Sequence, residues 1–165
     1  MRRYGVTGWK NAGKTGLMER LVAEMVARGL SVSTVKHAHH DTEIDHQGRD
    51  SYRHREAGAR EVVLCSPVRW ALMHELRGAP EPPLETLVAR LAPVDLVLIE
   101  GYKRSTHPKI EAHRAETGRA LLAPGNATIR AVASNAAPVG LDVPVLPLDD
   151  TAAIADFILH DLGMT

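Results

Sequence analysis

Residues 8–15 read Gly-Trp-Lys-Asn-Ala-Gly-Lys-Thr and satisfy the pattern G-x-x-x-x-G-K-[S/T], with flanks that constrain the fold as much as the letters do. Upstream, Tyr4-Gly5-Val6-Thr7 is a short apolar and β-branched run suited to a buried strand. Downstream, Leu17, Leu21, Val22 and Met25 recur at helical spacing. Strand, glycine turn and helix start, in that order, make a phosphate-binding site. Backbone N–H groups curl around a phosphate, and the helix adds its positive dipole end. The contacts expected there are Gly8, Trp9, Lys10, Asn11, Ala12, Gly13, Lys14, Thr15 and Gly16. Lys14 is expected to reach the β- and γ-phosphate oxygens, and the Thr15 hydroxyl to ligate a bridging Mg²⁺.

Strand-like and helix-like segments alternate through the rest of the chain. Ser31 to Lys36 reads as a strand after a helix closed by Gly29, and His37 to Arg49 as a long polar loop. Asp50 reads as the cap of a helix from Ser51 to Ala57. Glu61 to Ser66 and Arg69 to Leu76 read as a hairpin, and Leu84 to Leu91 as a helix. Asp95 to Gly101, Ile129 to Ser134 and Val143 to Leu146 read as strands, and Thr151 to Leu162 as a closing helix. The pattern predicts an α/β domain over residues 1–165: a mainly parallel central sheet flanked by helices, with an added β-hairpin or edge strand.

Twenty basic and twenty acidic residues balance, so no overall field argues for nucleic acid or an anionic membrane. One cysteine, Cys65, allows no internal disulfide and lies in the apolar run Val62 to Cys65, which predicts a core position. No signal-peptide pattern and no apolar run of bilayer length is present, so a cytoplasmic location is expected.

Leu96-Val97-Leu98-Ile99-Glu100-Gly101 places a carboxylate at the C-terminal edge of an apolar strand, where open α/β sheets bind ligands. Glu100 is therefore a candidate for Mg²⁺ and for catalysis, and Gly101 for close approach to a γ-phosphate. The window from Lys36 through His37, His39, His40 and Asp41 to Arg49, Arg53 and Arg55 is rich in histidine and arginine. It lacks the helical H-x-x-x-H pair of a zinc site, and phosphate, substrate or partner recognition is the expected use. Asp50 has two roles open to it, magnesium ligand or helix cap. Asn135, following a strand, has two as well: contact to a purine edge or support of a turn.

Taken together, Gly8 to Thr15, Val35-Lys36-His37, Asp45, the block from Asp50 to Ala59, Leu98 to Lys103 and Pro108 to Glu111 resemble the molybdopterin-guanine dinucleotide biosynthesis protein B (MobB) family. The resemblance spans almost the whole chain, and the Asp-Ser-Tyr-Arg-His block is its most specific part. It implies the fold of P-loop NTPases and a GTP-binding adapter with weak GTPase activity. It further implies a dimer that works with the guanylyltransferase MobA in attaching GMP to molybdopterin. The related extra lysine after the first glycine is replaced by Trp9, and Lys10 is not its counterpart. The guanine-reading motif Asn-Lys-x-Asp does not occur, so guanine preference rests on the resemblance. A dethiobiotin-synthetase-like small-molecule kinase or ligase using ATP is the alternative.

Overall fold

The computed structural model describes residues 1–38 and 44–164. Residues 39–43, which hold His39, His40 and Asp41 of the histidine-rich window, and Thr165 lie outside the described residues. The chain divides into two compact units, Met1–His37 with Val88–Thr165, and Ala38–Leu87.

The first unit is built on a six-stranded sheet in the order β2-β5-β1-β6-β7-β8, with every pairing parallel. Its strands are β1 (Arg2–Thr7), β2 (Val32–Lys36), β5 (Leu96–Glu100), β6 (Lys109–His113), β7 (Ile129–Ser134) and β8 (Val145–Pro147). Leu96, Val97, Leu98 and Ile99 are all fully buried, as an interior strand covered on both faces requires. Against one face lie the helices α1 (Lys14–Ala27) and α4 (Thr151–Asp161). Leu17, Leu21 and Met25 of α1 and Ile154 and Ile158 of α4 bury their apolar stripes on Tyr4, Val6, Leu98, Ile110 and Ala131.

The helix ends follow their local chemistry. Gly29, at φ +86°, closes α1: its N–H donates to Val26 O (2.9 Å) and that of Leu30 to Met25 O (3.1 Å), a Schellman closure. Asp150 caps α4 by accepting from the Ala153 N–H at 3.0 Å. Tyr4 donates its hydroxyl to Asp161 at 3.1 Å, tying the end of α4 to the central strand.

Strand β6 has no counterpart in the sequence reading, because Lys-Ile-Glu-Ala-His alternates charge with apolar residues like a surface strand. It is nevertheless interior, between β1 and β7, with Lys109 fully buried and Glu111 1 % exposed. The Lys109 ammonium donates to Ser105 O, to His107 O at 2.9 Å and to Thr128 Oγ1 at 2.8 Å. The Glu111 carboxylate accepts from the Leu122 N–H (2.9 and 3.0 Å) and the Ala123 N–H (2.9 Å). Each buried charge is thus fully hydrogen-bonded, the condition under which burial is tolerated.

The second unit contains α2 (Asp50–Glu56) and an antiparallel hairpin of β3 (Glu61–Cys65) and β4 (Trp70–His74). The short helix α3 spans Leu84–Val88, less than the Leu84 to Leu91 expected. Two expectations are corrected here. Asp50 does not cap α2: it is the first helical residue, Arg49 holds the cap position, and no side chain bonds the helix end. Cys65 is exposed rather than core. The register pairs Val62 with Met73, both 8 % exposed, on the inner face, whereas Cys65 pairs with Trp70 and shares the outer face with Val63 and Leu72.

Candidate functional site

The phosphate loop joins β1 to α1 through three residues of positive φ: Gly8 (+138°), Asn11 (+66°) and Gly13 (+92°). A Cβ on Gly8 would lie 2.4 Å from the Ala112 carbonyl oxygen, so glycine there is a steric requirement. No acidic residue of α1 itself stands in its first turn, so the helix's own sequence does not oppose an anion at its positive dipole end. Ala12 is buried beneath the loop, and Lys10, Asn11, Thr15 and Gly16 are exposed around it. These placements agree with an anion-binding loop.

Lys14 donates to the loop's own Trp9 carbonyl at 2.7 Å. Burial pulls its ammonium below the usual lysine range. The Glu100 carboxylate opposes that shift, while Lys103 and Lys36 reinforce it. Glu100 stands at the end of β5, 8 % exposed. Its carboxylate is 3.5 Å from Lys36 Nζ and accepts from the Thr15 hydroxyl at 3.4 Å. Strand pairing sets this up: Val6 and Lys36 both align with Glu100, so the ends of β1, β2 and β5 meet at one rim. Lys14 and Lys36 beside the one carboxylate, with Lys103 adding its charge near Lys14, leave a positive field suited to a polyphosphate. Thr15 and Glu100 present hard oxygen donors side by side, the ligand type that Mg²⁺ takes.

Gly101, at φ +93°, permits a close approach, but the partner within reach is His37, whose Cβ would be 3.1 Å from a Cβ on this residue. His37 also donates its backbone N–H to Glu100 O at 3.0 Å and stacks on Tyr102, ring centroids 4.6 Å apart. Tyr102 itself holds φ +45°, a strained value for a non-glycine residue. Lys103 then projects its Nζ 4.2 Å from the centre of the Trp9 ring, and Arg119 stands 5.7 Å from the same ring. The Trp9 indole N–H donates to Ala120 O at 2.8 Å. Trp9, Lys10, Asn11, Arg114, Glu116, Thr117 and Arg119 line an open cleft of about 620 Å³. Sequence reasoning missed Lys103, Arg114, Glu116 and Arg119. Lys103, two residues beyond Glu100-Gly101, was within reach of that reasoning. The other three carry no local motif.

Asn135 follows β7, and its amide is engaged at both ends. Its oxygen accepts from the Ala115 N–H at 3.0 Å, and its nitrogen donates to both Glu116 carboxylate oxygens at 2.7 and 2.9 Å. In the second unit, Arg55 pairs with Glu75 at 3.2 Å, lies 5.3 Å from the Tyr52 ring centre and has a side chain only 12 % exposed. Arg49 and Arg53 are exposed, and Arg53 stands 3.9 Å from an Asp50 that is itself 92 % exposed. No group of three or more His, Cys, Asp or Glu side chains arranged to hold a metal occurs among the described residues. No helix among them is long and apolar enough to cross a membrane.

Residues 4–135 match the family described as "Molybdopterin guanine dinucleotide synthesis protein B". Curated relatives include the molybdopterin-guanine dinucleotide biosynthesis adapter protein of Haemophilus influenzae, 40% identical over 93% of this chain and 85% of that one. The Escherichia coli protein of the same name is 38% identical over 92% of this chain and 88% of its own. A solved MobB homolog from Bacillus stearothermophilus superposes with a TM-score of 0.76 at 31% identity, over 100% of both chains. With its phosphate loop, parallel sheet and strand-end carboxylate in place, the chain belongs to the MobB family of P-loop NTPase-like proteins.

Proposed function

We propose that this protein is a GTP-binding adapter in molybdopterin-guanine dinucleotide biosynthesis, hydrolysing GTP weakly with Mg²⁺ and working beside a MobA-type guanylyltransferase in the cytoplasm. The observation that supports the nucleotide half is the pairing of Lys14 and Lys36 with Glu100 at the N-terminus of α1, with Lys103 close enough to add its charge to that of Lys14. The pathway half is supported by the names of the curated relatives.

In this reading the Gly8–Gly13 loop wraps the β-phosphate with its amides, and the Lys14 ammonium exchanges the Trp9 carbonyl for phosphate oxygens. Thr15 and Glu100 would hold Mg²⁺, which would supply neutralisation of the charge that builds on the phosphates. Lys36 pairs with Glu100 at the rim. The exposed Arg49 and Arg53 of the second unit offer charged hydrogen bonds to an anionic pterin phosphate or to the partner enzyme.

A homodimer belongs to the same proposal. The outer face of the hairpin carries Val63, Trp70 and Leu72, which are 64%, 67% and 38% exposed, beside Cys65. A two-stranded sheet with an apolar outer face and open edges is a pairing surface, and a second copy presents the same face by two-fold symmetry.

Calorimetry with GTP and Mg²⁺ tests the core of the proposal. Lys14→Ala should weaken binding by about 2–3 kcal/mol, the scale of losing a charge-assisted hydrogen bond in a partly desolvated site. Wild-type affinity in that variant would remove the loop as the site. Turnover in the wild type should be slow, and addition of the partner enzyme should leave a stable complex.

A further inference from the structure

Base recognition has no motif in the sequence, yet the structure offers a candidate beside the phosphate loop. The cleft bounded by Trp9, Lys10 and Asn11 on one side and by residues 114–119 on the other is cationic, with Lys10, Arg114 and Arg119 in its wall. Glu116 is the single carboxylate lining it. Among cations suited to phosphates, a carboxylate repels a phosphate group and accepts instead from N–H donors on a base. We propose that Glu116 is the guanine-specificity residue, its carboxylate accepting from the N1–H and the N2 amino group of the base. This inference rests on the reading that the loop binds GTP.

Three observations support it. First, the carboxylate is held in place. Asn135, at the end of β7, grips both oxygens from 2.7 and 2.9 Å, while its own oxygen is fixed by the Ala115 N–H. Asn135 and the residue's own N–H take about three of a carboxylate's roughly four lone-pair sites, so a ligand's two donors converge on the remaining one and on an oxygen shared with Asn135. Secondly, Glu116 stays anionic and acceptor-only at neutral pH. The hydrogen bond from its own backbone N–H, and then that from Asn135, hold its carboxyl below the usual range. Thirdly, the segment that carries it is anchored to the sheet next to the phosphate loop. Arg114 lies 3.0 Å from a Cβ built on Gly13, and the far end of the segment hangs from buried Glu111 through the Leu122 and Ala123 amides.

The chemistry distinguishes the purines. Guanine offers two adjacent donors, N1–H and the N2 amine, which match two carboxylate oxygens. Adenine offers a lone pair at N1, which an anion repels. A site built to bond a particular donor rejects the analogue that lacks it more strongly than an apolar pocket rejects a misfit. Asn135 then acts through Glu116 as a positioning residue.

The experiment is a nucleotide panel by calorimetry in Mg²⁺, with GTP, ITP, XTP and ATP. Wild-type protein should bind GTP about tenfold or more tighter than ITP, which lacks the N2 amine, and ATP more weakly still. Glu116→Gln should lose about tenfold or more for GTP and gain affinity for XTP, because the glutamine amide donates to the xanthine O2. That gain is one that a merely structural role does not produce. Equal binding of GTP and ITP by the wild type overturns the inference without any variant, as does a Glu116→Gln protein with unchanged GTP and XTP affinities. If wild-type protein binds none of the four, the GTP-binding reading itself fails. If it binds GTP and ATP alike, only the role of Glu116 does.

Discussion

Replacing Gly8 by alanine should be among the most damaging single changes to the phosphate loop, by an amount the geometry sets. At φ +138° an L-residue sits in a region essentially reserved for glycine, a strain of about 1–3 kcal/mol. The added methyl would also start 2.4 Å from the Ala112 carbonyl oxygen, roughly 1 Å inside ordinary contact. Ala112 is 1 % exposed and aligned with Ala133 in the β6–β7 pairing, so its carbonyl cannot rotate away without loosening the interior of the sheet. Overpacking of that kind costs about 1–3 kcal/mol more, giving about 2–6 kcal/mol in all. Gly29→Ala is the internal control: φ +86° strains it too, but no atom lies within 4 Å of the new Cβ, so only about 1–2 kcal/mol is expected. Urea unfolding of both variants beside wild type measures the difference, and calorimetry should show GTP binding lost in Gly8→Ala and kept in Gly29→Ala. Equal unfolding midpoints for the two variants would refute the argument that backbone contact, beyond φ strain, fixes glycine at position 8.

Glu100→Gln should depress Mg²⁺-dependent hydrolysis more than GTP affinity, because the metal matters most as charge shifts in the transition state; unchanged turnover would take Glu100 out of the site. Burial pulls Lys109 down to about 8 from an ordinary value near 10.5, so between those pH values the unfolded chain binds more protons than the folded one, and stability carried by this residue rises with pH. Wild type should therefore gain about 2 kcal/mol on Lys109→Met between pH 7 and pH 10, whereas a pH-independent difference would show that the three acceptors hold the ammonium at its ordinary value. Trp70→Glu together with Leu72→Glu should convert a dimer to a monomer in light scattering with GTP affinity intact; a wild-type monomer at tens of micromolar, a rough range for weak association, would sink the dimer.

The central strand, the phosphate loop with its helix, and Glu100 at its strand end were legible in the sequence because each is written in local letters. The loop needs glycine where φ is positive, the helix repeats its apolar residues, and an interior strand reads as an unbroken apolar run. Such signals survive without knowledge of what packs against them. Strand β6 was not legible, since Lys109 and Glu111 look like surface residues until carbonyls at 105 and 107 and amides at 122 and 123 fold around them. Cys65 was misread for the reverse reason. Apolar letters alone do not say which face of a two-stranded sheet is covered, and the pairing of Val62 with Met73 decided it. The cap of α2 likewise shifted by one residue, because nothing local discriminates Arg49 from Asp50 as the last non-helical position. The wall of the cleft, with Arg114, Glu116 and Arg119 set against Trp9, exists only through strand order. Residues a hundred positions apart meet there because β6 lies beside β1, and hydrogen bonds between distant segments leave no periodicity for a sequence to display.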